Sequence, residues 1–290
     1  MGPTGSGKSD LAEALSDAMG GRLVNADAVQ VYRGLDVGTG KSDRAEDYAL
    51  ISYVDPLEEF GVGRYLQDFA SFLAAFRESP HSDLLLVGGT GLYIRALTEG
   101  YTELHPPPDP ALRAELRAVD FPLLRERLLS LDPSTKVDLA NPVRVRRALE
   151  RMLDPRPPIR VDLPRFTVCK LALTPPPDHP ARLRTRIGTM LAAGWVQEVE
   201  ALMAQKVPRD APGMKAIGYD QVVDLIQGRK TMPELVDAVF SATKAYGKRQ
   251  MTWLRREPGV QWLEPLIDSE GVRRLARRLK EQLDRQEKKR

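Results

Sequence analysis

The chain has 290 residues, 42% of them hydrophobic and 29% charged. That length suggests about two domains, and the apolar content excludes a disordered, collagen-like or coiled-coil chain. No apolar run approaches the roughly 18 residues of a membrane span. No secretory leader follows Met1, and the single cysteine, Cys169, excludes an internal disulfide, so a reducing cytoplasm is the expected setting. His81, His105 and His179 lie far apart without cysteine companions, which argues against zinc. The net charge of +3 hides an asymmetry: residues 1–100 carry 8 basic and 15 acidic side chains, residues 101–290 carry 35 and 25. A polyanionic partner for the C-terminal side and a solvated basic surface account for this equally well.

A helix is predicted over Lys8–Met19, stopped by Gly20-Gly21. Arg22–Ala26 reads as a strand ending at Asp27. Residues 28–47 lack periodicity and form a long loop, of the kind that is usually functional. A strand is expected over Ala49–Val54. A helix follows over Gly63–Glu78, with Tyr65, Leu66, Phe69, Phe72, Leu73 and Phe76 at helical spacing, and stops before Pro80. Leu84–Val87 is wholly apolar, as in a buried parallel strand. This alternation predicts a parallel sheet with helical crossovers.

Pro106-Pro107-Pro108 marks a boundary, followed by arginine-rich helical stretches at 109–118, 121–131 and 141–153. A second cluster (Pro155, Pro157, Pro158, Pro164) closes that block, and residues 166–173 look like a return to the sheet. The expected organisation is an α/β core of residues 1–108 and 164–290 and a mainly helical insertion of residues 109–163. Further helices are predicted at 179–193, 195–205, 219–227, 231–256 and 269–288, with Thr231-Met-Pro-Glu234 as a capping box.

Gly2-Pro3-Thr4-Gly5-Ser6-Gly7-Lys8-Ser9 matches the phosphate-loop pattern. Backbone N–H groups of such a loop converge on phosphate oxygens at a helix N-terminus. Lys8 adds charge, and the Ser9 hydroxyl can ligate Mg²⁺. The core is therefore expected to be a phosphate-loop-type parallel sheet flanked by helices. Such a loop is normally launched from a buried strand, so an apolar strand is expected upstream of Met1. Leu84–Val87 ends in Gly88-Gly89-Thr90-Gly91 rather than in an acid, and Asp83 lies at its wrong end. The usual hydrolysis apparatus is missing, which favours a transferase over a kinase or hydrolase.

Three more motifs stand in order: Asp27-Ala-Val-Gln30-Val-Tyr32-Arg33-Gly-Leu-Asp36-Val-Gly38-Thr39-Gly-Lys41, Val87-Gly88-Gly89-Thr90-Gly91-Leu92-Tyr93, and Lys248-Arg249-Gln250-Met251-Thr252-Trp253-Leu254-Arg255. With the phosphate loop they resemble the tRNA dimethylallyltransferases over nearly the whole chain. That resemblance implies transfer of a dimethylallyl group from dimethylallyl diphosphate to N6 of the adenosine 3′-adjacent to the anticodon, with Mg²⁺. It implies that Gly2, Pro3, Thr4, Gly5, Ser6, Gly7, Lys8 and Ser9 hold the donor's diphosphate rather than ATP, helped by Arg186. Asp27 matches the carboxylate at the target N6, and Thr90 and Arg186 are counted with it as catalytic. Matches to tRNA-contacting positions are Asp27, Ala28, Val29, Gln30, Thr90, Arg113, Val143, Arg144, Val145, Arg146, Arg147 and the run Lys248–Arg255. The partners implied are the anticodon stem-loop and dimethylallyl diphosphate, with no membrane, and a monomer is expected. Ala28, Gly5 and Gly40 depart from Ser, Ala and Ala in the family, and Tyr48-Ala49 replaces a histidine pair.

From the residues alone, Asp27 stands at a strand's carboxyl end, where open α/β sheets place ligands. Arg144, Arg147 and Arg151 share one helix face, as do Lys244, Lys248, Thr252 and Arg255. Trp253 fits the core better than a stacking platform. Tyr32 and Tyr93 fit a channel lining and the core equally well.

Overall fold

The computed structural model describes residues 1–76, 83–101, 103–105, 109–264 and 268–288. The expected stop at Pro80, the boundary at Pro106–Pro108, His81 and the last two residues lie outside them. Helix α1 (Lys8–Met19) is bracketed by Gly7 and Gly20, both left-handed (φ 81° and 73°). That conformation costs glycine nothing and lets the chain turn sharply at either end. Strand β1 (Arg22–Asn25) pairs in parallel with β2 (Tyr48–Ala49) and with β3 (Leu84–Val87), in the order β2-β1-β3. Helices α2 (Val62–Phe76) and α3 (Gly91–Thr98) follow β2 and β3. The strand expected over residues 49–54 is cut short. Leu50 and Ser52 take positive φ angles of 58° and 52°, which an extended ladder cannot contain. Val54 then makes only an isolated bridge to Tyr32.

Residues 101–163 form a compact unit of their own, separate from the unit of residues 1–100 and 164–290. It starts at residue 101 rather than 109, because β4 (Glu103–Leu104) pairs antiparallel with β5 (Ile159–Arg160). Between them run α4 (Pro110–Ala118), α5 (Phe121–Leu131) and α6 (Pro142–Leu153). Asp109 and Asn141 cap α4 and α6 through their side-chain oxygens, each followed by a proline in the first turn. Leu116, Leu124, Leu128, Val145 and Leu149 form this unit's core.

The larger unit resumes with β6 (Lys170–Leu173), α7 (His179–Ala192), α8 (Trp195–Ala204), α9 (Tyr219–Ile226), α10 (Met232–Leu254), β7 (Val260–Leu263) and α11 (Ser269–Glu287). The capping box at Thr231 and Glu234 opens α10. The return to the sheet expected at residues 166–173 is corrected here. Only residues 170–173 are strand, and they pair in parallel with β7 rather than with β3. Met1 touches the other edge of β6: its terminal nitrogen donates to Leu171 O (2.8 Å), and Leu173 N–H donates to Met1 O (3.0 Å). Those two bonds follow the pattern of a parallel ladder. Between β3 and β6 lies a cavity of about 630 Å³ lined by Leu84, Leu86, Val168, Leu171 and Leu279. Leu84–Leu86 are consequently half-exposed rather than buried.

The principal core lies around Trp195, Tyr219, Leu35, Val31 and Leu235. The long loop after β1 is thus packed into the protein, not draped over it. Among the described residues no helix is long and apolar enough to cross a membrane.

Candidate active site

The phosphate loop leads into the N-terminus of α1. The backbone N–H groups of Gly5, Gly7, Lys8 and Ser9 have no partner among the described residues, as expected of an anion cradle at a helix start. Lys8 Nζ folds back and donates to Pro3 O (2.9 Å). Burial pulls its pKa down to about 8, against the attraction of Asp27, and Arg186 lowers it further. Lys8 therefore feels the charges of both Asp27 and Arg186. Ser6 Oγ is buried without a hydrogen-bond partner.

Asp27 follows β1 at its carboxyl end. One oxygen accepts the Val29 N–H (3.0 Å), so the side chain closes the turn at Val29; Oδ2 has no partner among the described residues. Asn25, almost wholly buried, fixes this corner by accepting Asp27 N–H and donating to the carbonyls of Asp27 and Leu50. Thr90 arrives from the loop after β3, and its hydroxyl accepts the Ala28 N–H (3.0 Å). Tyr246, on α10, is half-buried; burial and nearby Asp27 push its phenol up to about 12. No spacing pattern pointed to Tyr246.

Arg186 comes from α7. It is half-buried, desolvation lowers its pKa, and its guanidinium donates to Gly40 O (3.2 Å). A Cβ at Gly40 would stand 1.8 Å from Arg186 Nη2, and Gly40 has φ 62°, so glycine there makes room for the arginine. The loop carrying Gly40 is held by Glu198 of α8. Its carboxylate accepts N–H bonds from Asp36, Val37 and Gly38 and the Tyr219 hydroxyl. Glu198 carried no local signal in the sequence, because its loop partners lie some 160 residues away. Gln30 Nε2 donates to the carbonyls of Thr39 and Gly40. Tyr32 and Tyr93 are core residues, Tyr93 stacking on Tyr65 with centroids 4.5 Å apart.

Along α10, Lys244, Lys248, Thr252 and Arg255 lie exposed on one face. Arg249 is exposed over the Tyr246 ring, and Met251 is half-buried. Trp253 packs under Arg95 and against Gly91, where a Cβ would lie 2.3 Å from the indole. Gln250 and Leu254 are buried. In the separate helical unit Arg144 is exposed and pairs loosely with Asp138 (3.6 Å). Arg113 and Arg147 both donate to Glu150, which is only 6% exposed. Val143 is exposed and Val145 is fully buried, while Arg146 has a buried Nε without a partner. The side chains of Val145, Gln250 and Leu254 point inward, so they can serve RNA only through the helices they hold in place.

Ser9 is the hydroxyl that follows Lys8 at the start of α1, and the Tyr48 phenol nearby donates to Glu13 (3.0 Å). No group of three His, Cys, Asp or Glu that could cage a metal occurs among the described residues. A Mg²⁺ ion here would have to share its ligands with a bound diphosphate, with the Ser9 hydroxyl as the protein group that would hold it.

The IPP transferase family model matches residues 30–257, and the isopentenyl transferase model matches residues 1–50. The chain belongs to the IPP transferase family. A tRNA dimethylallyltransferase of Anaeromyxobacter dehalogenans (strain 2CP-1) is 39% identical, with 94% of each chain covered. One from Synechococcus sp. (strain JA-3-3Ab) is 36% identical over 91% of this chain and 80% of its own. The full-length tRNA isopentenylpyrophosphate transferase of Bacillus halodurans superposes with a TM-score of 0.72 at 28% identity, covering 99% of this chain and 96% of that one. A eukaryotic dimethylallyltransferase acting on tRNA shares the fold (TM-score 0.71, 20% identity, 91% and 72% covered). This IPP transferase is thus an α/β protein whose glycine-rich N-terminal loop, Asp27 and Arg186 belong to one compact unit.

Proposed function

We propose that the protein transfers a dimethylallyl group from dimethylallyl diphosphate to N6 of the adenosine 3′-adjacent to the anticodon of tRNA. The observation that carries this reading is the row of open N–H groups at the start of α1, which Gln250 ties to the Gly89–Thr90 loop beside Asp27 and which His179 ties to the helix of Arg186. The loop and the two cations suit a diphosphate leaving group. Asp27 Oδ2 suits a base that takes a proton.

In this reading N6 attacks C1 of the dimethylallyl group as the C1–O bond breaks. The electron pair of that bond leaves with the diphosphate, held by the N–H groups of Gly5, Gly7, Lys8 and Ser9 and by Lys8 and Arg186. The N6 proton passes to Asp27. Thr90 and Asn25 hold the backbone around Asp27 and so fix its free oxygen. Mg²⁺, held by Ser9 and the diphosphate, would neutralise charge on the leaving group. The adenosine must leave its stack to reach Asp27, so base flipping is part of the reading. Arg144, Arg151 and the exposed face of α10 would bind the phosphates of the anticodon arm.

The test is incubation with unmodified tRNA, dimethylallyl diphosphate and Mg²⁺, followed by mass spectrometry of the nucleosides. The expected result is N6-(dimethylallyl)adenosine in tRNA. ATP hydrolysis without prenylated adenosine would replace this reading with a small-molecule kinase, and prenylation of free AMP but not tRNA would move the acceptor.

A further inference from the structure

Thr4, at the apex of the phosphate loop, is held from both sides by side chains far away in sequence. Its N–H donates to Gln250 Oε1 of α10 (2.9 Å). Its carbonyl lies 2.8 Å from His179 Nε2, at the first residue of α7. A carbonyl can only accept, so His179 must carry a proton on Nε2. Gln250 Nε2 in turn donates to Gly89 O (3.2 Å), in the loop that bears Thr90. The amide is therefore oriented by a donor on one side and an acceptor on the other. Gly5 leaves little room beside this contact: a Cβ there would stand 2.9 Å from Leu183 and 3.6 Å from His179 Nε2.

The two peptide groups flanking Thr4 are thus fixed by two different helices. Helix α7 is also the helix that carries Arg186 two turns on, and α10 is the helix that carries Lys248. With Thr4 N–H committed to Gln250 and Ser6 N–H to Pro3 O, the N–H groups open to an anion include those of Gly5, Gly7, Lys8 and Ser9. An unrestrained glycine-rich loop would have to give up backbone freedom on binding, which weakens affinity.

We propose that His179 and Gln250 are positioning residues that pre-form the phosphate loop for a diphosphate, with His179 acting as its Nε2–H donor. This rests on the loop being the donor-diphosphate site. Neither side chain contacts the anion; each acts through Thr4.

The probe is inorganic pyrophosphate with Mg²⁺, titrated calorimetrically into the full chain. His179→Phe keeps a ring against Gly5 but removes the donor, and about tenfold weaker pyrophosphate binding is expected, matched by a raised KM for dimethylallyl diphosphate. His179→Gln places an amide N–H near the same point and should recover most of the loss. Gln250→Leu should weaken pyrophosphate similarly. Binding of tRNA alone should stay within about twofold of wild type for both His179 variants. ¹⁵N spectra of histidine-labelled protein should show His179 protonated on Nε2. Unchanged pyrophosphate affinity in His179→Phe, a His179→Gln variant no better than His179→Phe, or an Nδ1–H tautomer would each overturn the proposal. A wild-type protein that prenylates tRNA without measurable pyrophosphate binding would instead remove the reading beneath it, and the proposal with it.

Discussion

Two sets of arginines and lysines in this protein live under opposite conditions. Lys8 and Arg186 are drawn out of water, their pKa values are lowered by desolvation, and each points its charge at backbone carbonyls. Arg144 and Arg151 of the helical unit stand in solvent, and Arg144's partner, Asp138, is exposed too. Charges of the first kind are costly to keep unpaired and strengthen sharply when an anion arrives, because little water competes. Charges of the second kind contribute little each and act by number, through release of counterions from a nucleic acid. In the proposed function the first region suits a small, dense anion held in one geometry, and the second a long, dilute one. The following predictions probe that division, from the largest expected effect to the smallest.

Asp27→Asn is expected to lower the single-turnover prenylation rate by about 10²–10⁴ while donor and tRNA affinities hold, since an amide cannot take the N6 proton. A variant that keeps a near-wild-type rate would take Asp27 out of the chemistry and leave it as the residue that closes the Val29 turn.

Lys8→Met is expected to weaken pyrophosphate about 10–100-fold, the worth of a charge-assisted hydrogen bond in a dry site, with tRNA affinity little changed. The same lysine predicts a pH dependence. With its pKa lowered to about 8 in the free protein, the ammonium is present below pH 8 and lost above it. Wild-type affinity relative to Lys8→Met should therefore be flat below about pH 7 and fall as pH rises through 8, by up to about tenfold per unit. A constant ratio from about pH 6 to 9 would mean that Lys8 stays fully charged and solvated.

Much of this division was legible in the sequence, and the gaps have physical causes. The phosphate loop, α1 with its glycine ends, β3 and the capping box of α10 are local patterns, and each was readable. The strand expected over residues 49–54 failed at Leu50 and Ser52, because positive φ angles outside glycine leave no mark in composition. Strand β7 is only Val-Gln-Trp-Leu after a turn glycine, too short for a period to show. Arg113 and Arg147 read as part of an RNA-facing set, yet both are tied to buried Glu150, which no helical wheel reveals without the partner helix. The contacts of His179, Gln250 and Glu198 span more than 150 residues, so spacing could not suggest them.

The cavity between β3 and β6 offers a way to sharpen the comparison. A fusion of about four apolar, β-branched residues ahead of Met1 should continue the parallel ladder that Met1 begins along β6 and fill the space against β3. Burying each such side chain stabilises by about 1.5–3 kcal/mol, against about 1–2 kcal/mol of backbone entropy per residue. A net gain of even about 1–2 kcal/mol should raise Tm by several degrees in thermal melts. A better-anchored loop should also tighten pyrophosphate binding, while the salt dependence of tRNA binding stays as it was. No rise in Tm would mean that the two sheets close on each other in solution and leave no slot.

The smallest effects belong to the solvated arginines. Arg144→Gln with Arg151→Gln should leave the fold, pyrophosphate affinity and single-turnover rate at saturating tRNA unchanged. It should weaken tRNA binding modestly and reduce the slope of log Kd against log salt by roughly one unit for each phosphate no longer neutralised, somewhat less on an unpaired loop. Arg147→Gln is the informative contrast. It takes one of two donors from a buried carboxylate, and breaking such a pair exposes the desolvation cost of Glu150. That variant should lower Tm measurably where the Arg144 and Arg151 changes do not. If all three arginines instead alter the salt slope alike and leave Tm untouched, Glu150 does not hold Arg147 in solution, and the helical unit presents a wider basic surface than its ion pairs imply.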